Sequence, residues 1–145
     1  MDNSANCTII VATQEGVNYI EKKLEEFNLS KVPFSQHQAD IFVNYSLKNN
    51  DGDLVGGINA LICGWKYLFI NQLWVQDEYR HNDYGSKLLK RVEDEAKAMG
   101  SNMAILDTFD FQAKDFYLKH GYEIYGELDN YPPGHKSFSM KKVLK

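Results

Sequence analysis

The sequence predicts a single α/β domain with a mixed β-sheet over residues 1–145. Three observations support this prediction. Apolar residues recur at helical spacing in 84–99, strand-like apolar runs alternate with such helical segments, and Asp51-Gly52 is a strong hairpin signal between two of the runs. The resulting order of elements is β-α-β-β-β-α-β-α-β-β.

The first half of the chain is predicted to contain one helix and four strands. The strands are 8–12, 41–47, 54–63 and 69–75, the helix is 15–27, and an irregular connection spans 28–40. Asn71 and Gln72 interrupt the apolar run of 69–75, which indicates a bulge or a splay of that strand. The strands from 41 to 75 are therefore expected to form an antiparallel meander.

The second half is predicted to contain two helices and three strands. The helices are 84–99 and 112–120, and the strands are 103–108, 122–128 and 137–142. One face of the helix 84–99 is apolar and consists of Tyr84, Leu88, Leu89, Val92, Ala96 and Met99. The other face is polar and consists of Lys87, Lys90, Arg91, Glu93, Asp94 and Lys97. Glu93 and Lys97 are spaced for an i,i+4 ion pair on that polar face.

Composition excludes several classes of protein. Hydrophobic residues make up 43% and charged residues 25% of the chain, which is typical of a globular protein. The net charge is -4 without a basic stripe, so nucleic-acid binding is disfavoured. No run has the length of a membrane span, and residues 1–4 lack signal-peptide features, so we expect a cytoplasmic protein without a membrane partner.

The histidines and cysteines do not form a metal-binding pattern. His37, His81, His120 and His135 are scattered, without HxH or CxxC spacing, so no metal is expected.

The turn at residues 80–86 is the first candidate binding site. It leads from a predicted strand into the helix 84–99 and contains Gly85. The first N–H groups of a helix lack intrahelical partners, and the helix dipole favours an anion there. A phosphate-bearing ligand would suit this turn, but the spacing alone favours a plain strand-to-helix connection.

The order of three motifs favours the binding function. YRHNDYGSKLL at 79–89, AILDTF at 104–109 and FYLKHGY at 116–122 together resemble the GNAT superfamily of acyl-CoA-dependent N-acyltransferases. The resemblance extends from the strand 41–47 to the C-terminus. It implies a GNAT-like fold, with a mixed, mostly antiparallel central sheet flanked by helices, and acetyl-CoA as co-substrate.

The resemblance also implies a diphosphate site. In the family, a segment of the form Arg/Gln-x-x-Gly-x-Gly/Ala binds the diphosphate of acetyl-CoA through backbone amides. Arg80 has the first position and Gly85 the sixth, but the fourth is Asp83 instead of glycine. The residues assigned to the site are Arg80, His81, Asn82, Asp83, Tyr84, Gly85 and Ser86.

Asp83 brings opposing effects to that turn. Aspartate is favourable near a helix N-terminus and tolerates left-handed backbone better than most residues. A carboxylate about 6 Å from a phosphate charge would cost about 0.7 kcal/mol in water and roughly four times that at an effective dielectric constant of 20. We therefore expect binding to be retained and weakened.

Further roles follow from the resemblance. Leu73, Trp74 and Val75 match the segment whose backbone pairs with the pantetheine arm, with the amide near Val75 facing the thioester carbonyl. Gln112 stands at the place of a family asparagine that contacts the cofactor. Tyr117 matches the tyrosine that contacts the cofactor and protonates the leaving thiolate. A core or rim position is an equally good reading of Trp74, and a hydroxyl bound to a backbone carbonyl is the alternative for Tyr117.

The acceptor side is less well defined. Trp65, Asp107 and His135 are the candidate substrate-binding residues, and Asp107, Glu123 and His135 are candidate general bases, with a water chain as the alternative. The mixture of aromatic and acidic residues suits a small cationic amine, while a protein N-terminus or a lysine stays open.

These observations predict an N-acetyltransferase that transfers an acetyl group from acetyl-CoA to a primary amine. Neither Cys7 nor Cys63 lies in a motif that would form an acyl-enzyme, so direct attack in a ternary complex is expected. The first alternative is an acyl-CoA-binding sensor without transferase activity, and the second is a phosphate-ligand domain unrelated to CoA. Because dimers are frequent among similar proteins, a homodimer stays an alternative to a monomer.

Overall fold

The computed structural model describes residues 6–35 and 39–145. The features expected at residues 1–4, and the part of the 28–40 connection at 36–38 that includes His37, lie outside the described residues. The chain divides into two compact units, Met1–Phe34 and Ser35–Lys145, and the single domain over 1–145 stays a prediction. No helix within the described ranges is both long and apolar enough to cross a membrane.

The first unit contains the helix α1, Gln14–Lys31. It begins at Thr13, whose hydroxyl oxygen accepts a hydrogen bond from the Gly16 N–H at 3.1 Å. It runs four residues beyond the predicted end and stops before Val32, where the following Pro33 disfavours helical backbone.

The second unit contains the sheet. Its strands are β1 (Asp40–Phe42), β2 (Tyr45–Lys48), β3 (Leu54–Cys63), β4 (Leu68–Val75), β5 (Met103–Phe109), β6 (Glu123–Asp129) and β7 (Lys136–Val143). Its helices are a short 3-10 helix (Asp77–Tyr79), α2 (Tyr84–Ala98) and α3 (Lys114–Lys119).

The seven strands form one sheet in the order β1-β3-β4-β5-β7-β6, with β2 also paired to β3. The β4–β5 pair is parallel and all the other pairs are antiparallel. Buried side chains of α2 and α3 join those of the sheet in one hydrophobic core. The predicted α/β fold with a mixed, mostly antiparallel sheet is therefore confirmed.

Two predicted strands differ from the structure. Residues 8–12 have irregular backbone in place of the predicted strand. The run 41–47 is divided into β1 and β2 at Val43 and Asn44. The Asn44 side-chain oxygen accepts a hydrogen bond from the Ala60 N–H at 3.0 Å, in place of a backbone carbonyl, so the main chain leaves the ladder at that point.

The interruption predicted at Asn71 and Gln72 is a β-bulge. Asn59 of β3 pairs with Gln72 and the adjacent Ala60 pairs with Ile70, so Asn71 is the extra residue on β4. The structure also shows a splay at this point, because β4 pairs with β5 only at Leu68 and Phe69. The two parallel strands separate beyond these pairs.

One residue of the predicted polar helix face is buried. Glu93 is only 6% exposed, and its carboxylate accepts hydrogen bonds from the Tyr122 hydroxyl at 2.7 Å and the Lys142 ammonium at 2.9 Å. The predicted pairing with Lys97 is therefore wrong. These contacts connect α2 to the start of β6 and to β7.

We expect Glu93→Ala to lower the free energy of unfolding by about 1.5 to 3 kcal/mol, because it leaves the buried Tyr122 hydroxyl without an acceptor and Lys142 without its partner. Asp94→Ala is the matched control. Asp94 is next to Glu93 but forms an exposed pair with Lys90, and its loss should cost less than about 1 kcal/mol. Urea unfolding measures both variants, and equal losses would contradict a structural role for the buried pair.

Candidate active site

The separation of β4 from β5 opens a cleft of about 1090 Å³. Its walls are residues 70–75 of β4, the turn around the start of α2, the end of β5 at 107–109, and the segment 111–120 that includes α3. The cleft lies entirely within the second unit.

The backbone of β4 presents polar groups to this cleft. The Gln76 N–H donates to the Val55 carbonyl at 2.8 Å, and Gly56 pairs with Val75. Since hydrogen-bonded and non-hydrogen-bonded pairs alternate along an antiparallel ladder, the amides of Val75 and Leu73 point away from β3 and toward the open side. The Val75 carbonyl accepts from Arg80 Nε at 2.7 Å, which leaves the Val75 N–H as the open donor at this position.

The turn before α2 contains two left-handed residues. His81 has a φ of 66° and Asp83 a φ of 63°. Asp83 thus adopts the backbone conformation that its residue type tolerates, as predicted, but its side chain makes no capping hydrogen bond. The first helical bond runs from the Lys87 N–H to the Asp83 carbonyl at 2.9 Å, so the amides of residues 84–86 have no intrahelical acceptor.

Asn82 does not line the cleft. Its side-chain amide instead donates to the carbonyls of Tyr79 and Arg80, at 3.3 and 3.2 Å. The structure therefore gives the Asn82 side chain a role in shaping the turn, and the contact with a ligand through the backbone amide stays a prediction.

Tyr117 of α3 lines the cleft. It is 6% exposed, and burial raises the pKa of its hydroxyl to about 12. None of the residues that the structure describes hydrogen-bonds this hydroxyl, so a carbonyl partner is not found among them. The phenol therefore stays protonated at neutral pH and faces the cleft without an internal acceptor.

Gln112 also lines the cleft, but its side chain is used locally. Its oxygen accepts from the Phe109 N–H at 2.8 Å. This bond holds residues 110–113 in a turn, which explains why α3 begins at Lys114 and not at the predicted residue 112.

Asp107 is the candidate substrate-binding residue that lines the cleft. The Ser139 hydroxyl, on the neighbouring β7, donates to its Oδ1 atom at 2.7 Å. The second carboxylate oxygen has no hydrogen bond to any residue that the structure describes.

His135 lies one layer behind the cleft wall. Its Nδ1 atom is 2.9 Å from Asp110 Oδ1, and its ring meets Phe111 edge-on, with 5.0 Å between the ring centroids. Phe111 lines the cleft and His135 does not.

Trp65 and Glu123 are not brought to this cleft. Trp65 lies in the turn between β3 and β4, at the end of β4 where that strand still pairs with β5. The prediction that Trp65 joins the other substrate-binding residues is not supported by this position, because the cleft opens at the opposite end of β4. Glu123 begins β6 and lies 3.9 Å from the Lys141 ammonium.

His120 lines the cleft, although sequence reasoning did not single it out. It lies 2.8 Å from the Ser86 hydroxyl, which is 34 residues away in the chain. The available signal was its spacing, since His120 follows Phe116 by one helical turn at the end of a segment that already contained Tyr117.

Comparisons with known proteins agree on one family. The model of the "Acetyltransferase (GNAT) family" matches residues 9–122. The chain belongs to the GNAT acetyltransferase family. The predicted family and the predicted acyltransferase activity are thereby confirmed.

Individual GNAT relatives are similar over most of their length. Blasticidin-S acetyltransferase of Streptomyces morookaense is 32% identical over 106 residues, which cover 72% of this chain and 76% of that protein. The crystal structure of an acetyltransferase from Bacillus cereus has a TM-score of 0.89 and 36% identity, covering 95% of this chain and 98% of that chain.

A Bacillus anthracis structure solved in complex with acetyl coenzyme A has the same fold. Its TM-score is 0.63 at 19% identity, and the match covers 72% of this chain and 63% of that chain.

Proposed function

We propose that this GNAT acetyltransferase transfers the acetyl group of acetyl-CoA to the primary amine of a small cationic molecule, by direct attack in a ternary complex. One observation supports the proposal above the others. The open amide of Val75, the unpaired amides at the start of α2 and the hydroxyl of Tyr117 all belong to the same cleft between β4 and β5.

The residues around the start of α2 fit a diphosphate. Three consecutive amides at residues 84–86 have no intrahelical acceptor, the helix dipole adds partial positive charge, and Lys119 lines the same cleft. The amides of Leu73 and Val75 suit an extended pantetheine arm, because they continue the donor pattern of a strand edge. The solved neighbour of the same fold that contains acetyl coenzyme A supports this assignment.

The chemistry then follows from two donors. The bound ammonium first loses a proton to water, because only the neutral amine has a lone pair. As the amine nitrogen attacks the thioester carbon, negative charge grows on the carbonyl oxygen, and the Val75 N–H stabilises it. The carbon–sulfur bond breaks, and the sulfur takes the proton of the Tyr117 hydroxyl. Because burial raises the pKa of Tyr117 to about 12, this proton is present throughout the neutral range. The new amide nitrogen loses its proton to water, and Tyr117 is reprotonated.

The acceptor side of the cleft suits a cation. Asp107 offers a carboxylate, and Trp74, Phe109 and Phe111 add aromatic surface to the walls. A carboxylate at this point holds an ammonium group before reaction and stabilises the positive charge that nitrogen acquires during attack. The similarity to blasticidin-S acetyltransferase supports a small-molecule acceptor.

The proposal is tested first by calorimetric titration of the protein with acetyl-CoA and with CoA. We expect saturable binding of both, followed by CoA thiol release when small cationic amines are added. Peptides with free N-termini or lysines are the comparison acceptors. Binding of acetyl-CoA without thiol release for any amine would contradict the amine acceptor and favour a binding module.

Tyr117→Phe should lower kcat by about 100-fold or more, because it removes the proton donor for the leaving thiolate. The dissociation constant of CoA should change much less, since the ring is retained. Tyr125→Phe is the matched control, because Tyr125 is exposed on β6 and does not line the cleft. Full turnover in Tyr117→Phe would remove the acid role.

Asp83→Asn should tighten CoA binding about threefold or more, because it removes a carboxylate near the diphosphate, a penalty of about 0.7 kcal/mol even in water. Asparagine also tolerates the left-handed backbone found at this position, whereas glycine would change charge and flexibility together. Glu78→Gln is the control, because it removes a nearby charge outside the cleft. Equal or weaker binding by Asp83→Asn would refute the repulsion.

A further inference from the structure

We propose that His120 is a positioning residue for the Ser86 hydroxyl, and that binding of the acetyl-CoA diphosphate therefore takes up a proton at His120. This inference rests on the proposed function, because it concerns the same anion site. It assigns a role to a histidine that the reaction itself does not use.

The geometry connects the two helices of the cleft. His120 Nε2 lies 2.8 Å from Ser86 Oγ, in the first turn of α2, and His120 Nδ1 lies 2.7 Å from the Phe116 carbonyl oxygen. The imidazole also packs on the Phe116 ring, with 4.4 Å between the ring centroids. Both ring nitrogens of His120 are thus in hydrogen bonds, and both Ser86 and His120 line the cleft.

The Phe116 carbonyl determines the neutral tautomer. A carbonyl oxygen only accepts, so Nδ1 carries the hydrogen, and Nε2 of the neutral ring is an acceptor. The Ser86 hydroxyl must then donate its single hydrogen to Nε2. In this state the oxygen of Ser86 presents only lone pairs to an anion in the cleft, which is unfavourable for a phosphate.

Protonation of His120 reverses this bond. Both ring nitrogens become donors, Nε2 donates to Ser86 Oγ, and the Ser86 hydrogen is free to donate to a phosphate oxygen. A positive charge also lies directly behind the hydroxyl. The diphosphate therefore binds more strongly to the protonated form.

Charged side chains of both signs surround the His120–Ser86 pair. Arg80, His81 and Asp83 of the turn and Lys119 of α3 line the cleft, Lys87 follows Ser86, and the Lys142 side chain lies beside Gly121. A bound diphosphate adds negative charge and shifts the balance toward the imidazolium.

Calorimetric titration of CoA measures the effect. At pH 7, in two buffers with different ionisation enthalpies, the observed enthalpy should reveal net proton uptake that is reduced in His120→Asn. Between pH 6 and pH 8, the dissociation constant of CoA should rise for the wild type. This rise should exceed any rise for His120→Asn by a factor of about three or more. Protons taken up or released by the ionisable groups of CoA itself cancel in this comparison, because both proteins bind the same ligand.

His135→Asn is the matched control, since His135 does not line the cleft and its Nδ1 atom contacts Asp110 instead of Ser86. It should retain the proton uptake, and loss of uptake there would overturn the inference. NMR titration of the His120 ring in the wild type requires no stable variant. The pKa of the His120 ring should rise when CoA is added, and an unchanged pKa would overturn the inference. Absence of CoA binding by the folded wild type would instead refute the proposed function.

Discussion

The site depends on the separation of two parallel strands. β4 and β5 share only the pairs at Leu68 and Phe69, and the bulge at Asn71 follows immediately on β4. In an uninterrupted sheet, the amides of Leu73 and Val75 would be bonded to β5 and unavailable. The fold therefore obtains its binding groups from an incomplete β4–β5 ladder. Because unpaired amides are unfavourable, a ligand that accepts hydrogen bonds from them is bound favourably at this strand edge.

The open edge is stabilised from both ends. Arg80 crosses from the turn to the Val75 carbonyl, which connects the end of β4 to the start of α2. On the other wall, Gln112 and Thr108 hold the end of β5 to the start of α3, and His120 joins α3 back to Ser86. These contacts are polar and mostly local, so they fix the positions of the cleft walls without filling the space between them.

Local sequence patterns predicted much of this arrangement. The amphipathic helix α2, the strand β3 and the interruption at Asn71 are all present, because each depends on spacing within one segment. The predictions were wrong where the position of a residue depends on parts of the chain that are distant in the sequence. Glu93 was assigned to the polar helix face, since nothing near it in the sequence reveals Tyr122 or Lys142. Trp65 was grouped with residues of the cleft, but it lies at the opposite end of β4.

The sheet order has a consequence for synthesis on the ribosome. β7 lies between β5 and β6, although it follows both in the chain. Until residues 136–143 leave the exit tunnel, β5 has an empty edge on that side and Glu93 of α2 has no cationic partner. The nascent chain therefore holds its α2-to-β6 segment in an incompletely paired state, in which chaperones would find an exposed strand edge.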